Sequence, residues 1–313
     1  MIRILLAICV SLILGACSSH TPKGYVKLID NRTALKENSL LYVKVPEGTA
    51  ILIGKAEPNA GNVEHSSILY PAVTPVDFFA AVVTHAAITE SVKNNKKNKA
   101  QDEADVVVTP YRPFVKDIAN QALTTQLSDI ALSRGFNLKP YQESQSENDI
   151  VLDITPIYLL NQKQNTLTLR TQFLVYHRKN ETIAAQKRAM LYQNQIEVLS
   201  PTLQSENPSE YWLNNNGEKL IDTMRDLLSQ TLALGALQIS DNQKAVKGNE
   251  QNFRYDDGDE LAFERASVVS EDCEHVVIHT LRGWLKSIPT SRLQGKMPCK
   301  ANLEAKINTP SLN

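Results

Sequence analysis

Apolar and polar positions alternate with a period of two across 166–176. Leu167, Leu169, Thr171, Phe173 and Val175 share one face, and Thr166, Thr168, Arg170 and Gln172 the other. That alternation predicts a half-buried strand in an antiparallel sheet. The segments 149–154 and 182–192 flank it with a similar β-forming composition, and 161–165 and 178–181 fall between them as hairpin tips. Before this meander the period changes. Apolar residues fall at 114, 115, 118, 119, 122, 123, 127, 130 and 131, a helical stripe opened by Pro113 and stopped by Gly135. A further helix is predicted over 209–234, with Leu220, Ile221, Met224, Leu227, Leu228 and Leu232 on one face. Within it, 214–217 (Asn-Asn-Asn-Gly) splits off a first turn carrying Tyr211 and Trp212.

Shorter signals lie outside this block. Residues 39–45 are rich in β-formers and end at Pro46, with 50–53 as their hairpin or sheet neighbour. Residues 76–88 are apolar almost all round and predict a helix that runs into the basic stretch 93–99. Strand-like segments recur at 260–269 and 275–288. Together these predict an α+β fold, a mainly antiparallel sheet packed against two helices, with a small C-terminal β-rich module. The boundaries that follow are a core at 39–239, a polar linker at 240–252, the module at 253–300 and a tail at 301–313.

Composition narrows the class. The chain is 42% hydrophobic and 21% charged, ordinary for a globular protein with a real core. Lys+Arg 33 against Asp+Glu 34 leaves a net charge of −1, which argues against nucleic acid as a general partner.

The N-terminus carries the most specific pattern. Arg3 precedes the apolar run 4–14, which closes on Leu14-Gly15-Ala16-Cys17 and is followed by Ser18 and Ser19. A basic end, a short apolar stretch and small residues form the order of a secretory signal. The run is too short to span a bilayer core, which needs roughly 20 helical residues. Cysteine directly after Leu-Gly-Ala resembles a bacterial lipobox. By that resemblance 1–16 is a cleaved signal peptide, Cys17 is the lipidated first residue, and 17–38 is a tether between lipid and fold. Ser18 in the second mature position resembles the residues that pass lipoproteins on to the outer membrane. The expected address is therefore the periplasmic face of that membrane.

That address changes the cysteine count. Of four cysteines, Cys9 leaves with the signal and Cys17 takes the lipid, so Cys273 and Cys299 remain. In an oxidising compartment this pair is expected to form a disulfide, which stabilises by roughly 3 kcal/mol in the chain-entropy model. The order helix, meander, helix over about 105–235, with Trp212 ahead of the last helix, resembles the small α/β domains of envelope proteins such as the N-terminal domain of TolB. That resemblance implies a fold alone.

Candidate chemistry is sparse. His275 and His279 share a helical face only if 275–279 is helical, and Val276-Val277-Ile278 between them favours a strand. In a strand they stand about 13 Å apart, too far to share a metal. Asp256-Asp257-Gly258-Asp259-Glu260 has carboxylates suited to calcium, but position 12 of an EF-hand loop starting at Asp256 is Ser267. An acidic hairpin turn is the simpler expectation. The lysines of 93–99 fit either a solvated loop or an element resting on anionic lipid. Phosphate-loop, nucleophile-elbow and zinc spacings are missing from the sequence. Glu264, Arg265 and Arg282 would be the charged residues of a dispersed site. The expectation is a lipid-anchored accessory or assembly protein without catalytic residue, metal or cofactor, with an envelope protein as partner. Arg282 and Trp284 form its candidate contact surface, because Trp and Arg are enriched in binding hot spots, with a place in the module's own core as the equal alternative for Trp284. The alternatives are a carrier of an apolar ligand held between sheet and helices, or a hydrolase with a dispersed site.

Overall fold

A computed structural model describes residues 26–31, 40–45, 51–56, 95–115, 137–141, 146–181, 189–240 and 249–295. The fold is α+β, and the described residues build one mixed sheet of eleven strands. The strands are β1 (Ile29–Asp30), β2 (Leu40–Lys44), β3 (Ile51–Gly54), β4 (Asn137–Pro140), β5 (Ile150–Leu160), β6 (Leu167–His177), β7 (Met190–Leu199), β8 (Glu250–Asp256), β9 (Leu261–Glu271), β10 (His275–Thr280) and β11 (Leu285–Pro289). The helices are α1 (Asn95–Val106), α2 (Arg112–Val115) and α3 (Pro208–Ser240). The sheet runs β4-β2-β5-β6-β7-β11-β10-β9-β8, with β1 on β7 and β3 on β5.

The expected meander is its centre, with one strand moved. β5 pairs antiparallel with β6 from Ile150↔His177 to Leu160↔Leu167, and β6 with β7 from Thr168↔Leu199 to Tyr176↔Met190. The third strand was expected at 182–192 and stands instead at Met190–Leu199. Its middle, Gln193-Asn194-Gln195, is too polar to read as strand, yet Asn194 and Gln195 are buried.

Parallel pairing is the larger departure from a mainly antiparallel sheet. β2 pairs with β4 and with the first half of β5, β3 with the second half of β5, and β11 with β7, all parallel. β2 and β3 are therefore not a hairpin. They lie end to end along one edge of β5, Lys44 opposite Asp153 and Ile51 opposite Ile157. This arrangement explains how β5 runs through Pro156. Asn161 N–H donates to the Thr166 carbonyl, so odd positions of β5 bond β6 and even positions turn their N–H toward β2 and β3. Pro156 lacks that donor, and it falls in the gap where β2 has ended and β3 has not begun.

α3 covers one face of the sheet. Leu220, Met224, Leu227, Leu228 and Leu232 are buried against Leu152, Ile154, Leu169, Phe173, Tyr192 and Ile196. Tyr158 ties the layers by donating its hydroxyl to the Met224 carbonyl at 2.9 Å. The expected split of this helix is present. Asn214 is extended, and Asn215, Asn216 and Gly217 have φ of 49°, 57° and 77°. Phe114 fills the space at Gly217, where a Cβ would come within 2.9 Å of its ring. The remainder of the helix expected from Phe114, and the one at 76–88, lie outside the described residues.

The C-terminal strands continue the same sheet but enclose their own core. β8–β11 form an antiparallel meander, and Leu293 bridges back to Tyr255, rolling it up. Phe253, Tyr255, Ala266, Val276, Ile278 and Ile288 are buried inside the roll together with Leu199. The segment 275–288, expected as one strand-like run, is a hairpin. It turns at 281–284, where Gly283 has φ of 85°.

Gly54 shows how closely the elements approach. Its N–H donates to Asp105 Oδ1 at 2.9 Å and its carbonyl accepts from Gln101 Nε2 at 2.8 Å, docking α1 on β3. A Cβ there would stand 1.8 Å from the Ala104 carbonyl oxygen, a backbone atom that cannot swing aside. Gly54→Ala is expected to cost about 3 kcal/mol of stability, at the upper end for overpacking. A urea midpoint unchanged from the parent protein would contradict this packing.

Candidate functional site

Three charges stand side by side across the sheet. Arg170 on β6 is the register partner of Glu197 on β7, and Glu197 that of Lys286 on β11. Arg170 Nε lies 2.7 Å from Glu197 Oε1, and Lys286 Nζ lies 3.3 Å from Glu197 Oε2. Gln195 Nε2 adds a bond to Glu197 Oε1 at 3.1 Å. Lys286 reaches on into the roll, to Glu264 at 3.0 Å and to the Tyr255 hydroxyl at 2.9 Å. Burial by itself would raise the Glu197 pKa, but Arg170 and Lys286 overcome it and hold the carboxyl down at about 2. Burial would likewise lower that of Lys286, yet Tyr255, Glu197 and Glu264 raise it well above its ordinary value. Tyr255 itself is pushed up to about 12 by burial. Lys286 stays charged and Tyr255 neutral near pH 7. This constellation binds five strands to one another, with two cations matched by two carboxylates.

The acidic turn 256–260 joins β8 to β9, as expected of a hairpin turn. Its carboxylates face partners from elsewhere in the fold. Asp257 pairs with Lys55 at 2.5 Å, Asp259 accepts from Asn161 Nδ2 at 2.9 Å, and Asp256 accepts from Thr202 at 3.2 Å and from the Gly258 N–H at 2.9 Å. Arg292, with its side chain fully buried, donates to the Asp256 carbonyl at 2.7 Å and to the Ser200 carbonyl at 2.8 Å. The turn seals the roll to the β5–β6 hairpin tip. That tip is held from the other side by Trp212, whose indole donates to the Gln164 carbonyl, and by the Tyr111 hydroxyl on the Gln164 side chain. No group of three or more His, Cys, Asp or Glu among the described residues is arranged to hold a metal ion.

Of the two expected contact residues, Trp284 takes the alternative place, inside the protein. Trp284 is 4% exposed, so it does not present a hot spot to solvent. Its indole N–H donates to the Val26 carbonyl at 2.8 Å, and the Arg282 guanidinium lies 5.1 Å from its ring. Leu28 packs where a Cβ on Gly283 would sit. The turn 281–284 is thus a clamp on the N-terminal segment. β1 continues the attachment, with Ile29↔Gln193 and Asp30↔Tyr192 in register, and Asn31 N–H donates to the Leu191 carbonyl. The tether expected to run to residue 38 is already seated on the sheet at 26–31.

The other sequence candidates are dispersed. Glu264 points into the roll to Lys286, Arg265 pairs with Glu250 on the outside, and Arg282 covers Trp284, so they form no common site. His275 and His279 lie on β10, a strand, and burial lowers the pKa of His279. Cys273 sits in the β9–β10 turn, where its carbonyl accepts from Thr290 Oγ1 at 2.9 Å. Asp272 in the same turn is held below the usual carboxylate range by the N–H groups of His275 and Glu274. Residues 95–99 of the basic stretch open α1. Cys17 and Cys299 lie outside the described residues. The Glu197 row left no signal in the sequence, since a single charge on each of three strands becomes a row only once the strands are paired.

No family model matches the chain, and no curated protein does. A solved structure, that of an uncharacterized protein, is similar over 63% of this chain and 92% of its own, at 10% identity and a TM-score of 0.25. Among the described residues no helix is long and apolar enough to cross a membrane.

Glu197 gives a pH dependence with a definite sign. Its pKa falls from 4.5 to about 2 on folding, so its contribution is complete above pH 4.5 and lost as the pH falls toward 2. Glu197→Gln leaves Arg170 without its carboxylate and Lys286 with Glu264 alone. It is expected to cost about 3 kcal/mol near pH 7, and urea unfolding should show the gap to the parent protein narrowing below pH 4.5. A gap that is absent at pH 7, or that widens in acid, would overturn this assignment.

Proposed function

We propose that the chain is a lipid-anchored envelope protein that faces the periplasm from the outer membrane. Its role is that of a non-catalytic accessory or assembly subunit. The observation that carries this is Leu14-Gly15-Ala16-Cys17, placed after a basic end and a short apolar run. The clamp on 26–31 supports it, because it seats the body on the chain nine positions after Cys17, within a short reach of a lipid there. So does the engagement of Glu197, Lys286, Glu264 and Asp257 in joints between elements, which gives these charges a structural task.

In this proposal Cys273 and Cys299 form a disulfide in the oxidising periplasm. Thr290 holds the β9–β10 turn and so brings the segment leading toward Cys299 back beside Cys273. The remaining partner is an envelope protein rather than nucleic acid.

Two measurements check the address. Intact-mass analysis of the protein from bacterial membranes should find a chain beginning at Cys17 with added acyl mass, and Cys17→Ala should abolish that addition. An unmodified chain that retains residues 1–16 would defeat the proposal. Thiol titration of the denatured, unreduced protein should find Cys273 and Cys299 both blocked, and two reactive thiols would refute the disulfide. For the assembly role, native purification with the anchor intact should recover a stoichiometric envelope protein. Recovery of the monomer alone counts against it.

A further inference from the structure

The N-terminal segment meets the folded body at one place. Val26 is held by the Trp284 indole, Lys27 offers its carbonyl to Gln193 Nε2, and the chain then follows β7. Val26 lies nine positions after Cys17. At 3.3–3.6 Å per fully extended residue, the Val26 seat stands no more than about 30 Å from a lipid on Cys17. The turn that makes the seat presents its tip to solvent. Leu281 is 63% exposed, and beside it Arg282 rests its guanidinium on the buried Trp284 ring. A solvated leucine with an adjacent arginine braced on an aromatic ring matches membrane–water interfaces, where the apolar group enters the headgroup layer and the cation meets phosphate.

We propose that the β10–β11 turn is the membrane-facing pole of the protein, with Leu281 inserted among phospholipid headgroups and Arg282 paired with lipid phosphate. This rests on the lipid-anchor reading and goes beyond it, because an anchor on a tether alone would leave the body free to tumble. The occupant of this surface is the bilayer that carries the anchor.

The test uses the full lipidated protein in phospholipid vesicles with and without brominated acyl chains, which quench tryptophan on close approach. Leu281→Trp places a reporter at the exposed tip. Val106→Trp, at a position 68% exposed on α1, is the comparison. α1 sits on β3, four strand spacings from β11 in the order β3-β5-β6-β7-β11, or about 19 Å. Emission of the parent protein, whose Trp212 and Trp284 are each 4% exposed, is subtracted. The expected result is blue-shifted, bromine-quenched emission for Leu281→Trp and solvent-like, unquenched emission for Val106→Trp. Arg282→Glu in the Leu281→Trp protein should reduce the quenching. Flotation with the vesicles, compared with the Cys17→Ala form, reports on the anchor separately. Protein that fails to float overturns the anchor and this orientation with it. Protein that floats while Leu281→Trp stays solvent-like, or while both reporters are quenched alike, overturns the orientation alone.

Discussion

Glu197 is the point on which the two halves of the sheet agree. It sits on β7, the strand shared by the central meander and the C-terminal roll, and takes one cation from each side. Burying a carboxylate is costly, and a buried ion pair often contributes little net stability compared with apolar residues of the same shape. Its value here is specification. β11 meets β7 in parallel over only three register pairs, Leu285↔Ile196, Lys286↔Glu197 and Ser287↔Val198. A slip of one residue would turn Lys286 into the apolar layer under α3 and leave Glu197 short of a counter-charge. A short parallel joint between segments distant in sequence has little else to define it. Charge matching supplies that definition, and hydrophobic burial under α3 supplies the bulk of the stabilisation.

The same division explains what was legible in the sequence. β6 showed itself because its faces differ in kind, Leu167, Leu169, Phe173 and Val175 toward α3 and Arg170 and Gln172 away. The break in α3 showed itself because three asparagines and a glycine favour left-handed backbone, which they adopt. β7 was misplaced for the opposite reason. Asn194 and Gln195 are buried and Glu197 satisfied by partners from other strands, so local polarity misreported burial. β5 runs on past the expected 149–154 and through Pro156, whose missing donor costs nothing only because of a gap between two neighbouring strands. Local patterns carried local structure. Anything whose physical cause lay on a remote segment could not be seen.

Candidate chemistry followed that rule too. The acidic turn was rightly expected to be a hairpin, but its partners Lys55, Asn161, Thr202 and Arg292 come from four separate parts of the chain. Trp284 and Arg282 looked like a contact surface because exposed Trp-Arg combinations mark interfaces. The structure uses them for an interface within the molecule, across 258 positions of sequence. A composition rule can identify residues suited to recognition, and it cannot say whether the recognised segment belongs to another protein or to the same one.

The free edge of β7 is shared by the roll and the N-terminal segment. Its second half is taken by β11 and its first half by β1, so the N-terminal segment completes an edge that the roll leaves unfinished. Exposed sheet edges invite pairing with other chains, and covering them is a general requirement of β proteins. β1 is only two residues long, too short to be stable by itself, and it depends on Trp284 and Gly283 to hold the residues before it. Those residues are positioned by the β10–β11 hairpin, and that hairpin is set in register by Lys286 on Glu197. The placement of the N-terminal segment therefore follows from the charge row at the centre of the sheet. The direction in which 26–31 joins the sheet is thereby fixed relative to the body, and a loss of register at the β7–β11 joint would release the edge and that direction together.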